Sequence, residues 1–168
     1  PRRCALAEAS KRPSRGARRG AGRPVIVLDT TVLAYAAGGP HPLGDHARRL
    51  LSAVARGEVH ASTTPEVIQE FVHIYGRRRP RPRATAIGRR YALTLAPLLP
   101  VLAEHLEAGL GLFERTEGLG AFDAVLAATA AAHQADALVS ADRNFEAQSL
   151  VRWLDLDSPD LMSEVATN

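Results

Sequence analysis

The strongest constraint on the fold is a pair of short, uninterrupted apolar runs that lie far apart in the chain. One is Val25–Leu28 (VIVL), and the other covers 137–139 (ALV). Apolar runs of this length without polar alternation are typical of strands buried on both faces, as in parallel sheets. Helical patterns rich in Ala and Leu separate the two runs. The sequence therefore predicts an α/β domain with three layers, α/β/α, around a mainly parallel central sheet.

The remaining elements follow from periodicity and from the Gly and Pro residues that interrupt it. We predict helices over 31–37, 44–56, 63–78, 83–95, 104–116 and 121–134. Weaker apolar patterns predict short strands at 59–61, 99–103 and 151–154.

The N-terminal segment differs in composition from the rest of the chain. Residues 1–24 contain eight basic side chains and one acid, which leaves 13 basic and 17 acidic side chains in residues 25–168. We predict that 1–24 is a basic, disordered tail and that 25–168 is the folded domain. The tail is either an electrostatic arm for RNA or a segment without a role.

Several classes of protein are excluded by composition. The single cysteine, Cys4, allows no internal disulfide and no thiolate metal site. No apolar run approaches the roughly 20 residues of a membrane span, and no apolar stretch follows the basic N-terminus as in a secretory signal. We expect a cytoplasmic protein that does not enter a membrane.

Two acids follow the two apolar runs. Asp29 comes directly after the first run, and Asp142 comes three residues after the second. In open α/β sheets, ligands bind outside the carboxyl ends of the strands, so both side chains are expected to face one crevice. The alternative for Asp29 is that it caps the following helix.

The helix that begins near Thr63 carries Glu66 and Glu70. Glu66 has a structural explanation, because Thr63 and Glu66 have the spacing of a capping box. Glu70 lies a turn further in, beside Phe71 and Val72, where an unpaired carboxylate would cost several kcal/mol. Glu70 is therefore the candidate ligand, and Glu66 is held in reserve.

The fourth acid, Asp123, lies near the start of an Ala-rich helix whose small side chains allow close approach to the sheet. Its alternative role is to complement the helix dipole.

Carboxylates forced together either hold protons or bind a hard cation, and oxygen ligands suit Mg²⁺ or Mn²⁺. The histidines show no zinc-ligand spacing. Such a site suits phosphodiester hydrolysis.

Four stretches of the chain resemble the PIN-domain family, specifically its VapC-type toxins. They are VIVLDTTVLAYAA, TTPEVIQEFVHIYGRR, LGAFDAVLAATAAAHQADALVSADRNF and VRWLDL, which span about 25–156. The resemblance implies that Asp29, Glu70, Asp123 and Asp142 surround the metal. Thr30 and Ser140 match hydroxyl residues that accompany the acids, whereas Asn144 stands where related sequences often carry Asp.

The resemblance also implies an activity and partners. The activity is metal-dependent cleavage of structured RNA, of the tRNA or rRNA class, by the toxin of a toxin–antitoxin pair. The partners are a small VapB-type antitoxin, which covers the site, and a second copy of the chain in a homodimer.

A basic run follows the Glu70 helix and consists of Arg77, Arg78, Arg79, Arg81 and Arg83. It predicts phosphate contacts with RNA, and the alternative is a solvated turn between helices.

Other functions remain as alternatives. A phosphatase would need Asp where Thr31 stands, and a phosphorelay receiver would need a lysine in the domain, whereas the only lysine is Lys11. A PIN-like RNA- or protein-binding module without catalysis is the other alternative, favoured by Asn144 and opposed by the four acids.

Overall fold

A computed structural model describes residues 25–166 and confirms the α/β architecture. Its sheet has four parallel strands in the order β2-β1-β3-β4. The strands are β1 (Val25–Leu28), β2 (His60–Ser62), β3 (Ala137–Ser140) and β4 (Trp153–Asp155). The helices are α1 (Thr30–Ala37), α2 (Pro42–Ala55), α3 (Pro65–Gly76), α4 (Arg81–Thr94), α5 (Ala103–Arg115), α6 (Ala121–Ala132) and α7 (Leu161–Val165), with a 3₁₀ turn at Arg143–Ala147.

Two sequence predictions concern residues outside this range. The tail predicted for residues 1–24 and the last two residues of the predicted domain lie outside the described residues. Among residues 25–166, no helix is both long enough and apolar enough to cross a membrane.

The two predicted apolar strands form the centre of the sheet. In the register of β1 with β3, Val27 lies beside Leu138 and Leu28 beside Val139, and all four side chains are fully buried. Because successive side chains of a strand point to opposite faces, burial of consecutive residues requires helices on both faces. This is the predicted three-layer arrangement.

The strand order β2-β1-β3-β4 places the topological switch point of the sheet between β1 and β3. The chain leaves β1 toward β2 on one side of the sheet, and β3 is followed by β4 on the other side. A crevice therefore opens at the carboxyl ends of β1 and β3, which is the usual position for a ligand in such sheets. The backbone N–H of Asp29 donates to the carbonyl of Val139 at 3.1 Å, so the central pairing continues to the edge of this crevice.

The strand predicted at 99–103 is wrong. Residues 99–102 run as an irregular segment before α5, and Leu99 makes a backbone hydrogen bond to the Thr63 carbonyl at 2.9 Å. Pro100 has no N–H group to donate, so the segment 99–103 cannot form a continuous ladder of hydrogen bonds.

The predicted capping box of Thr63 and Glu66 is also wrong. The N-cap of α3 is Thr64, whose hydroxyl accepts a hydrogen bond from the Val67 N–H at 3.3 Å. Thr63 instead donates its hydroxyl to the Leu28 carbonyl at 2.6 Å. This bond joins the end of β2 to the end of β1, which fixes where α3 begins relative to the crevice.

Close packing of α5 on α6 sets the position of the start of α6. A Cβ atom added to Gly109 would lie 2.6 Å from the Val125 Cα and 2.9 Å from its backbone nitrogen. Backbone atoms cannot move aside as a flexible side chain can, so only glycine allows this approach.

We therefore predict that Gly109→Ala lowers the free energy of unfolding by about 2 kcal/mol, because the methyl group overpacks the helix pair. Gly111→Ala in the same helix is the matched control, since the atom nearest to its added Cβ is Arg115 Nη1, at 3.1 Å on a flexible side chain. Its helix propensity should raise stability slightly. Urea unfolding of both variants checks this, and equal losses of stability would contradict the packing argument.

Candidate acidic site

Asp29 lies at the carboxyl end of β1 and is buried, with 4% of its surface exposed. It is the N-cap of α1, which confirms the alternative prediction that Asp29 caps the following helix. Its Oδ1 accepts from the Thr30 N–H at 2.6 Å, and its Oδ2 accepts from the Thr31 hydroxyl at 2.7 Å. Capping and ligand binding are compatible, because a carboxylate has about four lone-pair sites.

Ser140 connects Asp29 to the segment that carries Asp142. The Ser140 hydroxyl, at the end of β3, donates to Asp29 Oδ2 at 2.7 Å and accepts from the Asp142 N–H at 2.9 Å. The Thr31 hydroxyl also accepts from the Ala141 N–H at 3.0 Å. These bonds join the ends of the two central strands and fix the backbone from which the Asp142 side chain projects.

Glu70 joins the same network through Thr30. The Thr30 hydroxyl donates to Glu70 Oε2 at 2.6 Å, and Thr30 is itself buried. This contact joins α3 to the start of α1, 40 residues apart in the sequence. The half-buried Glu70 carboxylate thus has a neutral hydroxyl partner, and its negative charge is not neutralised by an ion pair in the described residues.

Asp123 in the first turn of α6 completes the set. Partial burial, and then the nearby charges of Asp29, Asp142 and Glu70, raise the pKa of Asp123 from 3.8 to about 7. A backbone hydrogen bond with Gly120 opposes this rise. The charge effects mean that the fold brings all four predicted acids into one electrostatic neighbourhood.

The donor set fits a hard divalent cation in its chemistry. All four side chains offer carboxylate oxygens, which Mg²⁺ and Mn²⁺ prefer, and mutual repulsion favours a cation among them. As they stand, the carboxylates do not enclose an ion: within residues 25–166, no three or more Asp, Glu, His or Cys side chains are placed to hold a metal. We expect like charges to spread in this way until a cation draws them together.

Two other acidic-site predictions have a different place in the structure. Asn144 is exposed, and its backbone N–H donates to Asp142 Oδ1 at 2.9 Å. Asp142 therefore also caps the 3₁₀ turn. Glu66, the reserve acid, lies four residues before Glu70 on α3, and its Oε2 is buried without a hydrogen-bond partner in the described residues.

The predicted basic run forms the exposed end of the α3–α4 hairpin. All five arginines predicted to contact RNA are exposed: Arg77, Arg78, Arg79, Arg81 and Arg83. Tyr91 anchors this hairpin, because it packs edge-on against Phe71 and donates its hydroxyl to the Leu33 carbonyl at 3.3 Å. Burial raises the pKa of Tyr91 to about 12, so this hydroxyl remains protonated.

Sequence reasoning missed Thr31 as a member of the site. Its hydroxyl contacts Asp29 Oδ2, the Ala141 N–H and, at 3.2 Å, Ser140 Oγ. No local signal separates Thr31 from Thr30, because both directly follow Asp29 in the sequence. Only the pairing of β1 with β3 brings Thr31 to Ala141, 110 residues away.

The fold and the acidic crevice define a class of protein. The family profile for the PIN domain matches residues 26–149. The chain therefore belongs to the PIN-domain family.

Two solved structures have the same fold at low sequence identity. VapBC2 of Rickettsia felis, bound to a promoter DNA fragment, has a TM-score of 0.60 at 16% identity and covers 78% of this chain and 98% of that one. VapC20 of Mycobacterium tuberculosis, described as a sarcin-ricin loop cleaving toxin, has a TM-score of 0.61 at 19% identity and covers 76% and 98%.

Sequence relatives identify the group within the PIN-domain family to which the chain belongs. Ribonuclease VapC7 of M. tuberculosis is 53% identical over 125 residues, which are 72% of this chain and 84% of that protein. Ribonuclease VapC13 of the same organism is 30% identical over 139 residues, 77% of this chain and 99% of the relative. Within the PIN-domain family, the chain belongs to the VapC ribonucleases.

The raised pKa of Asp123 predicts a pH-dependent stability in metal-free buffer. Since the folded-state pKa lies above the unfolded value, this group's contribution is full below about pH 4 and is lost as pH rises through about 7. Asp123→Asn should therefore raise the free energy of unfolding at pH 8 by about 2 kcal/mol, a linkage value discounted for partial solvation. The gain should shrink toward pH 5.

Urea unfolding in EDTA at a series of pH values measures this effect. The matched control is Glu107→Gln, which removes an exposed carboxylate on α5. The same pH dependence in both variants would refute the assignment to Asp123.

Proposed function

We propose that the chain is a metal-dependent endoribonuclease that cleaves structured RNA of the tRNA or rRNA class, as the toxin of a VapBC-type pair. The observation that carries this proposal is the hydrogen-bond network that joins Asp29, Glu70 and the Asp142 segment at the carboxyl ends of β1 and β3. Burial, and then the charges of Asp29, Asp142 and Glu70, raise the pKa of Asp123 beside this network to about 7. Four acids from separate elements that share one crevice are costly unless they bind a cation. The VapC relatives support the choice of RNA as substrate.

Asp29, Glu70, Asp123 and Asp142 would hold Mg²⁺ or Mn²⁺. Such an ion supplies a polarised water and stabilises the charge that develops on the phosphate. Since a cation favours the charged form of nearby carboxylates, binding would lower the pKa of Asp123 and release its proton.

The hydroxyl groups have a positioning role. Thr31 and Ser140 both donate to Asp29 Oδ2. Among residues 25–166, Asp29 Oδ1 accepts only from the Thr30 N–H, so it is the oxygen with more capacity for a metal. Thr30 occupies Glu70 Oε2 in the same way and leaves Oε1 available. Fixed ligand orientation reduces the reorganisation that metal binding requires.

The α3–α4 hairpin supplies positive charge for the RNA backbone. Residues 71–103 contain seven arginines and no acid. Arg77 and Arg81 line one surface groove of the hairpin with His73, and Arg78 and Arg79 line another with Tyr75. Phosphate contacts of this kind position the RNA without reading its sequence.

The proposed partners follow from the same class. A VapB-type antitoxin would cover the acidic crevice in the cytoplasm, and two copies of the chain would form a homodimer. The R. felis structure contains a VapBC pair, which supports the antitoxin.

Asp29→Asn is the main test of catalysis. Asn also caps helices, so α1 should persist while the metal site loses a charge, and we expect RNA cleavage to fall by about 100-fold or more. Cleavage of total RNA, followed by mapping of the cut sites, measures the loss and names the substrate. Glu146→Gln, at an exposed acid in the 3₁₀ turn, is the control. Equal activity of wild type and Asp29→Asn, with equal metal dependence, would make the assignment wrong.

Calorimetry with Mn²⁺ separates the enzyme from the alternative of a non-catalytic binding module. The proposal predicts Mn²⁺ binding by the wild type, accompanied by proton release near pH 7, and weaker binding by Asp29→Asn. A wild-type protein that binds RNA but takes up no Mn²⁺ would favour the binding module.

Replacement of Arg77, Arg78 and Arg79 by Ala tests the basic hairpin. We expect KM for RNA to rise, and the slope of log affinity against log salt to fall by about one for each phosphate that is no longer neutralised. The rate at saturating RNA should stay near the wild-type value, because these side chains lie outside the acidic cluster. The control is Arg56→Ala, an exposed residue paired with Glu58. Unchanged KM and salt dependence would assign the run to a solvated turn.

A further inference from the structure

A small pocket of about 200 Å³ lies between the end of α1 and the last turns of α3. Ala34 and Gly39 line it from the α1 side, and Phe71, Ile74 and Tyr75 line it from α3. Phe71 is fully buried, Tyr75 is half-buried and Ile74 is 40% exposed. The pocket therefore has an aromatic floor and an open apolar rim, and we call it the Tyr75 pocket.

The ring of Tyr75 is held in place by neighbouring aromatic rings. It stacks on Phe71, one helical turn earlier in α3, with ring centroids 5.4 Å apart and planes inclined by 29°. Phe71 in turn packs against the Tyr91 ring at a centroid distance of 5.1 Å. A half-buried aromatic ring with such support is suited to stacking with an unpaired base, because every base has a π face.

Positive charge lies beside this aromatic floor. Arg78 and Arg79 also line the Tyr75 pocket, and both are exposed. Within residues 25–166, neither guanidinium forms an ion pair, and no acid lines the pocket. A nucleotide combines a flat, neutral base with a negatively charged phosphate, so its chemistry complements both parts of this site. An apolar side chain of a protein partner would leave the two cations unused.

The Tyr75 pocket lies one helical turn from the acidic crevice. Thr30 on α1 donates to Glu70 on α3 at 2.6 Å, and Ala34 and Ile74 each lie four residues further along these helices. Four residues of helix span about 6 Å. This length corresponds to one or two nucleotides of a strand, at roughly 3.4 Å each. A strand whose phosphate reaches the acids can therefore place a nearby base in the pocket.

We propose that the Tyr75 pocket receives one unpaired base of the RNA, one or two nucleotides from the bond that is cut. Tyr75 stacks on this base, and Arg78 and Arg79 contact the phosphates beside it. A base enters the pocket only after it leaves its own stack, so the pocket selects nucleotides that unstack at low cost and fixes the strand relative to the acids. The proposal rests on the proposed function, because it requires that RNA is cut at the acidic crevice. Tyr75 has a positioning role in it.

Variants of the pocket test this role on a short RNA that contains one of the mapped cut sites. Tyr75→Ala should lower kcat/KM by about 10-fold or more, because a stacking contact is lost, whereas Tyr75→Phe keeps the ring and most of the activity. Ala34→Leu keeps Tyr75 but fills the pocket, so it should cause a similar loss. Tyr35→Ala is the matched control, since Tyr35 is also half-buried but its ring packs against His41 at 4.9 Å. Thermal unfolding establishes that each variant is folded.

RNAs with a single abasic nucleotide separate base stacking from a general effect on the fold. In the wild type, an abasic nucleotide at one position near the cut should lower kcat/KM by about as much as Tyr75→Ala does. Tyr75→Ala acting on that same RNA should lose little more than either change alone, because both changes remove one contact. At the other positions the losses from the variant and from the abasic nucleotide should multiply.

The outcomes distinguish the pocket from the proposed function. Coupling between Tyr75→Ala and one abasic position supports the proposal. Independent losses at every position, or equal kcat/KM for the wild type and Tyr75→Ala, overturn the pocket while the ribonuclease stands. A wild type that cuts no RNA overturns both. A Tyr75→Ala variant that cuts RNA at the wild-type rate but escapes inhibition by a VapB-type antitoxin also overturns the proposal, and it assigns the pocket to a protein partner.

Discussion

The pairing of β1 with β3 is the interaction on which the rest of the site depends. It places the residues after Leu28 beside the residues after Val139 and extends to the bond between the Asp29 N–H and the Val139 carbonyl. Only with this register can Ser140 reach Asp29 across 111 residues of sequence. A slip by one residue would turn every side chain of the strand to the opposite face and break this contact. The buried Val and Leu side chains that fix the register therefore also fix the geometry of the acids.

The clustered carboxylates of the acidic site repel one another and therefore destabilise the folded state. Burial and three neighbouring carboxylates oppose ionisation of Asp123, and the buried core of the domain has to offset this cost. At Asp29 and Glu70, the cost of holding a charged carboxylate is reduced by hydrogen bonds to the charged oxygens. The donors are the hydroxyls of Thr30, Thr31 and Ser140. Proteins commonly retain such destabilising groups where function requires them.

Much of this arrangement could be predicted from the sequence, because strand ends are local features. The apolar runs located β1 and β3, and in an open parallel sheet the residues after such strands meet at one edge. The segment 99–103 was predicted incorrectly because its apolar composition resembles a strand, although Pro100 prevents continuous pairing. The capping box was misplaced by one residue because either Thr63 or Thr64 can cap, and the choice depends on the Leu28 carbonyl that Thr63 contacts. The role of Thr31 depends in the same way on a distant partner, which no local pattern contains.

The separation of charge between the α3–α4 hairpin and the remainder of the domain has a kinetic consequence. The hairpin region 71–103 carries seven of the 13 arginines of residues 25–168, so the rest holds six arginines against 17 acids. A polyanion that diffuses toward such a molecule is repelled from most directions and attracted from one. Productive collisions are then selected by orientation before any contact forms, and the encounter rate should depend steeply on ionic strength. The arginines would thus orient the RNA during its approach, while the acids would act on it after binding.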